Sequence, residues 1–115
     1  MYHGWADQAV PPFGTTAYYA AMAERSPDYR SFTRLYMIPA QYHCLGGGAP
    51  RAVGDLLTPL MTWVQDGQAP GVVSLDTVNP APGQPSAVAV APFDPRRSVP
   101  ARGYNSRYDW IGRFH

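Results

Sequence analysis

The chain has 115 residues, one cysteine, a net charge of +1, and nine arginines with no lysine. The arginines are scattered from Arg25 to Arg113 without a run or a helical stripe, which excludes the electrostatic footprint of a nucleic-acid or membrane-surface binder. A lone cysteine excludes an internal disulfide, and 13 prolines with 11 glycines call for short elements joined by long loops.

An apolar fraction of 45% in one domain-sized chain still allows a core. The nearest thing to a basic patch is Arg96, Arg97, Arg102, Arg107 and Arg113, interspersed with Asp94 and Asp109, which reads as a solvated, ion-paired surface. Met1 to Trp5 has no positive region followed by an apolar run, so no export signal is expected in the chain as written, and no stretch approaches the roughly 20 apolar residues of a membrane span.

In chain order, Met1 to Trp5 reads as the end of a buried strand that delivers a loop through Ala6-Asp7, closed by Pro11-Pro12. Thr15 or Thr16 caps a predicted helix running to about Arg25, with Ala17, Tyr18, Ala21 and Met22 on one face, and Ser26-Pro27-Asp28 ends it. Phe32 to Ile38 is apolar and aromatic on both alternations, as in a strand buried on both faces, and Pro39 stops it. Ala40 to Pro50, with His43, Cys44 and the run Gly46 to Gly48, is loop. Val53, Leu56, Leu57, Leu60, Met61 and Val64 follow the helical period up to Asp66-Gly67; Pro59 either kinks this helix or sits in its first turn with Thr58 as cap. Val72 to Val78 predicts a third strand and Ala87 to Ala91 a fourth, separated by the Pro/Gly/Ser-rich segment Asn79 to Ser86. The tail from Phe93 carries Tyr104, Tyr108, Trp110, Ile111 and Phe114 and is expected to pack onto the domain.

Strand, helix, strand, helix, strand predicts an α/β layer of mostly parallel strands with crossover helices. Two or three such strands leave an unpaired edge and uncovered faces, so the chain reads as a portion of a larger sheet. Asp7 follows the first strand and His43 the second. Catalytic groups gather beyond the carboxyl ends of parallel strands, which would bring both into one crevice. An aspartate on one imidazole nitrogen leaves the other to act as a general base. Against this, an Asp after a strand also serves as a turn residue, and a His in a Gly-rich loop need have no role.

Three blocks of sequence carry a resemblance. Tyr2-His3-Gly4-Trp5-Ala6-Asp7 with Val10-Pro11-Pro12 and Tyr18-Tyr19, then Leu35-Tyr36-Met37-Ile38-Pro39 with His43-Cys44 and Gly46 to Gly48, then Trp63-Val64, Gly67, Ala69 and Pro70, resemble in order the tannase and feruloyl esterase family. The resemblance implies an α/β-hydrolase fold and a triad in the order Ser, Asp, His. Asp7 would orient the base and His43 would be the base. Cys44 matches a cysteine that, in the family, is disulfide-linked to the one beside the nucleophilic serine, implying an oxidising compartment for the parent, secreted or periplasmic.

The departures are equally specific. The family's serine motif, oxyanion hole and calcium-binding lid lie upstream of the Asp block, and nothing here matches them, so no cofactor is expected in this chain. Ser26, Ser31, Ser74, Ser86, Ser98 and Ser106 all follow Asp7, and none sits in a glycine-flanked elbow. Ala40-Gln41-Tyr42 stands where the family has a glycine-containing run before the His.

The expectation is therefore residues 1–78 as the C-terminal part of a hydrolase catalytic domain and 79–115 as a tail packed on it. The parent would hydrolyse phenolic-acid esters, with this chain inactive alone for want of the half that bears the nucleophile. The alternative is a non-catalytic α/β fragment that pairs with itself or a partner chain through its sheet edge. A zinc site built from His3, His43, Cys44 and His115 lacks ligand spacing, Cys44 as a thiol nucleophile would need an adjacent residue to aim at it, and the glycine run lacks the Lys and Ser/Thr of a phosphate loop.

Overall fold

The computed structural model describes residues 1–43, 51–80, 82–83 and 85–97. The expectations for Cys44, Gly46 to Gly48 and the arginine- and aromatic-rich tail beyond 97 lie outside those residues. Two small sheets carry the fold. Strand β1 (Tyr2–Gly4) pairs in parallel with β2 (Tyr36–Ile38) in the register Tyr2 to Tyr36 and Gly4 to Ile38, with helix α1 (Pro12–Arg25) in the connection. Strands β3 (Arg51–Val53), β4 (Val73–Val78) and β5 (Ala87–Val90) form the second sheet in that order, and helix α2 (Leu57–Asp66) connects β3 to β4.

The parallel expectation holds for β1 and β2 and fails for the second sheet, where both pairings are antiparallel. For β4 and β5 the cause is length: a parallel crossover needs a dozen or more residues, and only Asn79 to Ser86 separates them, enough for a hairpin. The connection from β3 to β4 carries α2 and is long enough for a crossover, so length does not set the direction of that pair. Strand β4 shows the matching signature, with Val73, Leu75 and Thr77 buried and Ser74 and Asp76 exposed.

The stretch from Phe32 is also shorter as a strand than its composition suggests. Tyr29–Ser31 forms a turn of 3₁₀ helix, Phe32 is 56% exposed, and only Tyr36–Ile38 enters the sheet. Those three residues are buried on both faces, as expected. Leu35 and Met37 join Tyr19, Ala23 and Tyr29 beneath α1, while Tyr36 and Ile38 join Val73, Leu75 and Val90 of the second sheet. Strand β2 is thus the wall shared by two apolar clusters. A single antiparallel bridge from Tyr36 to Pro92, extended by the Phe93 N–H donating to Leu35 O at 2.7 Å, ties the second sheet to the first.

Helix α1 begins earlier than expected because Pro12 occupies its first turn, where a missing N–H costs nothing. Its buried face is Tyr19 and Ala23 with Met22 at the margin, and Tyr18 is 63% exposed, so the apolar face is turned by one residue from the expected stripe. In α2, Pro59 lies in the first turn, the shorter of the two readings. The cap is Asp55, however, whose Oδ1 accepts from the N–H groups of Leu57 and Thr58, both at 2.9 Å. Val53 belongs to β3, and Gly67 ends α2 with φ 70°. No residue of α2 is buried: Leu57, Leu60, Met61 and Val64 present an open apolar face.

Candidate active site

The carboxyl ends of β1 and β2 are laced together before either loop departs. Trp5 N–H donates to Ile38 O at 2.9 Å and Ala6 N–H to Gln41 O at 3.1 Å. This close approach explains Gly4, since a Cβ there would lie 2.1 Å from Gln41 O and force the two loops apart. Asp7 then turns back on its own loop, its Oδ1 accepting from Ala9 N–H at 2.9 Å and Val10 N–H at 2.8 Å. Its other oxygen, Oδ2, faces His43 Nδ1 at 2.9 Å.

Electrostatics fix how that contact works. Burial of Asp7, whose side chain is 7% exposed, favours the neutral acid. The hydrogen bonds from Val10, His43 and Ala9 outweigh it and bring the carboxyl down to about 2. At neutral pH Asp7 is therefore an anion that can only accept, so the hydrogen between the two residues belongs to His43 Nδ1. In the neutral imidazole this leaves the lone pair on His43 Nε2, which has no hydrogen-bond partner among the described residues and sits on a side chain 50% exposed. A fixed Nδ1–H tautomer with an open Nε2 is the arrangement of a general base.

The profile of the family described as tannase and feruloyl esterase matches residues 1–95. The chain belongs to that family. It is 40% identical over 75 residues to a mono(2-hydroxyethyl) terephthalate hydrolase of Piscinibacter sakaiensis, covering 64% of this chain and 12% of that protein. It is 33% identical over 73 residues to a probable feruloyl esterase of Arthroderma benhamiae, covering 60% of this chain and 14% of that one. The chain thus spans about an eighth of the length of these curated relatives. Among solved structures, feruloyl esterase B from Aspergillus oryzae superposes with a TM-score of 0.68 at 24% identity, over 80% of this chain and 22% of that chain. An esterase from the same organism gives the same TM-score at 22% identity. The fold is that of a segment of these α/β-hydrolase-like esterases, and the family match extends past residue 78 to include β5 and Phe93.

Both site residues picked out from the sequence of this family member, Asp7 and His43, come together, while Cys44 lies outside the described residues. In the loop between β2 and His43, Ala40 lies at φ 55°, in the left-handed region that glycine favours. Sequence reasoning missed His3 as part of this cluster and considered it only as a zinc ligand. Its side chain is 11% exposed, and its Nε2 lies 3.2 Å from Asp7 Oδ2 and 3.0 Å from Val10 O. Its Nδ1 lies 2.7 Å from Thr15 Oγ1 at the start of α1. The signal available beforehand was a histidine one residue from the end of β1 and four residues before the aspartate, which is weak without the turn that folds Asp7 back.

Proposed function

We propose that residues 1–115 supply the acid and the base of a serine carboxylic-ester hydrolase acting on phenolic-acid esters. They would form the C-terminal part of its catalytic domain, with the nucleophilic serine and the oxyanion donors provided from outside these residues. The observation that carries the proposal is the 2.9 Å contact between Asp7 Oδ2 and His43 Nδ1 beyond the ends of two parallel strands, in a chain of an esterase family.

The chemistry follows from the tautomer. His43 Nε2 takes the proton from the serine hydroxyl as its oxygen bonds to the ester carbonyl carbon, and the Asp7 anion stabilises the resulting imidazolium. The same Nε2–H then protonates the departing alcohol oxygen, leaving an acyl-serine. In the second half a water gives its proton to Nε2, its oxygen attacks the acyl carbon, and the serine oxygen takes the proton back as the acid leaves. The relative named as a probable feruloyl esterase supports a phenolic acyl group, and the one named for a terephthalate ester supports the broader class of aromatic acyl groups. Cys44, next to the base, would by the resemblance be bonded to a cysteine beside the nucleophile, and such a bond would put the parent in an oxidising compartment, secreted or periplasmic.

The 115-residue chain alone is expected to release no ferulic acid from methyl ferulate, since none of its serines lies in a nucleophile elbow. Release that disappears in a His43→Ala control would refute the assignment of the nucleophile to a region outside the chain.

A second reading draws on the surface. Strand β1 pairs only with β2 among the described residues, and beside it a groove of about 550 Å³ is lined by Met1, Phe32, Leu57, Leu60, Trp63 and Val73 among others. In the first reading the rest of the hydrolase sheet covers this face. In the second, a copy of the chain or a partner covers it and Asp7 and His43 are idle. A monomer by size-exclusion chromatography with light scattering counts against the second reading, and dimers or larger species count for it.

A further inference from the structure

His3 stands at the centre of a hydrogen-bonded line that the two catalytic assignments do not use. We infer that His3 is a positioning residue that holds the Asp7 carboxylate in the rotamer that serves His43, and that Thr15 in turn holds His3. The inference rests on the reading of Asp7 and His43 as orienting acid and base.

A carboxylate offers about four acceptor positions. Two of those on Asp7 are taken at Oδ1 by the N–H groups of Ala9 and Val10, and at Oδ2 His43 Nδ1 and His3 Nε2 stand at 2.9 and 3.2 Å. His3 Nε2 also faces Val10 O at 3.0 Å. A carbonyl oxygen and a carboxylate oxygen are both acceptors, so His3 Nε2 must carry a hydrogen in either charge state. With the 2.7 Å contact from Nδ1 to Thr15 Oγ1, both ring nitrogens are engaged and the ring cannot flip without losing both contacts. The part-buried imidazole thus bridges β1, the Asp7 loop and the first turns of α1.

The consequence is directional. Without His3, Oδ1 stays pinned by the Ala9 and Val10 amides, but Oδ2 loses the imidazole that stands 3.2 Å from it, whose Nε2–H, directed to Val10 O, also faces the carboxylate. The carboxylate can then rotate about its bond to Cβ, and half-exposed His43 follows it into solvent. An uncharged side chain that places an N–H where Nε2 stands preserves the arrangement. Glutamine does this, because its amide nitrogen can occupy the Nε2 position.

The test is the imidazole proton and nitrogen NMR spectrum of the ¹⁵N-labelled 115-residue chain near neutral pH and low temperature, with amide dispersion as the check on folding. Wild type is expected to show a downfield, slowly exchanging His43 Nδ1–H, absent in Asp7→Asn. His3→Ala is expected to lose that resonance while amide dispersion persists, and His3→Gln to restore it. Should His3→Ala fail to fold, Thr15→Val serves in its place and is expected to broaden or shift the same resonance. A His43 Nδ1–H unchanged in His3→Ala, or unchanged in Thr15→Val where His3→Ala does not fold, would overturn the role of His3 while leaving the Asp7 and His43 pair intact. Absence of the resonance from wild type would overturn both.

Discussion

At the residue scale, the site depends on a few backbone choices as much as on its titrating groups. Gly4 is required by proximity rather than by dihedral angle, because the β2 loop passes where its side chain would be. Gly4→Ala is expected to destabilise the chain by about 1–3 kcal/mol in urea titration, as overpacking generally does, and to weaken the His43 Nδ1–H signal. Ala40 is the opposite case, an L-residue at φ 55°. The left-handed region costs a residue with a Cβ roughly 1–2 kcal/mol, part of which glycine returns as unfolded-state entropy. Ala40→Gly should therefore raise stability by up to about 1 kcal/mol in the same titration. Asp7 carries the acid response. Its carboxyl lies at about 2 in the fold against an ordinary 3.8, so the unfolded chain binds its proton first as pH falls. The stabilisation is full above the ordinary value and is lost as pH drops from about 4 towards 2. Asp7→Asn should flatten that part of a plot of urea midpoint against pH.

At the element scale, legibility in the sequence followed the amount of local constraint. Strand β2 was readable because a run of large apolar residues buried on both faces has few other uses. The end of α2 was readable because Asp66-Gly67 announces a left-handed cap. Three features were not. The antiparallel second sheet was hidden because strand direction is set by loop length and partner, which composition alone leaves open. Strand β3 has only three residues and was absorbed into the apparent helical period of α2. The start of α1 was misplaced because a proline pair reads equally as a loop closure and as a first helical turn. In the site, Asp7 and His43 could be located because each follows a strand and each lies in a block that resembles the esterase family, the position alone being a weak signal, whereas His3 gained meaning only through the turn that brings the Asp7 carboxylate back over it. The second sheet also anchors the first through Tyr36 and Phe93, so damage there should be felt at the site. Leu75 is 1% exposed in the cluster that Tyr36 and Ile38 share, and Leu75→Ala is expected to cost about 2–5 kcal/mol by chemical denaturation.

At the scale of the whole molecule, the chain has a defined interior and an unfinished exterior. The two clusters on either side of β2 are well covered, yet α2 buries nothing and leaves Leu57 63%, Leu60 50% and Val64 78% exposed. A contiguous apolar face of that kind marks a surface made to be covered. Replacing Leu60 and Val64 together by glutamate should change folding stability by no more than about 0.5 kcal/mol per site, as expected for exposed positions, while lowering any self-association seen by light scattering.

The measurement that tests this account most directly is the hydrolysis of methyl ferulate by the product of the entire reading frame that contains residues 1–115, compared with its His43→Ala variant. The account predicts a fall in kcat of at least about a thousandfold with little change in KM, since a base acting in the transition state is lost while the binding surface remains. Turnover by the variant equal to that of the unmodified enzyme would contradict it.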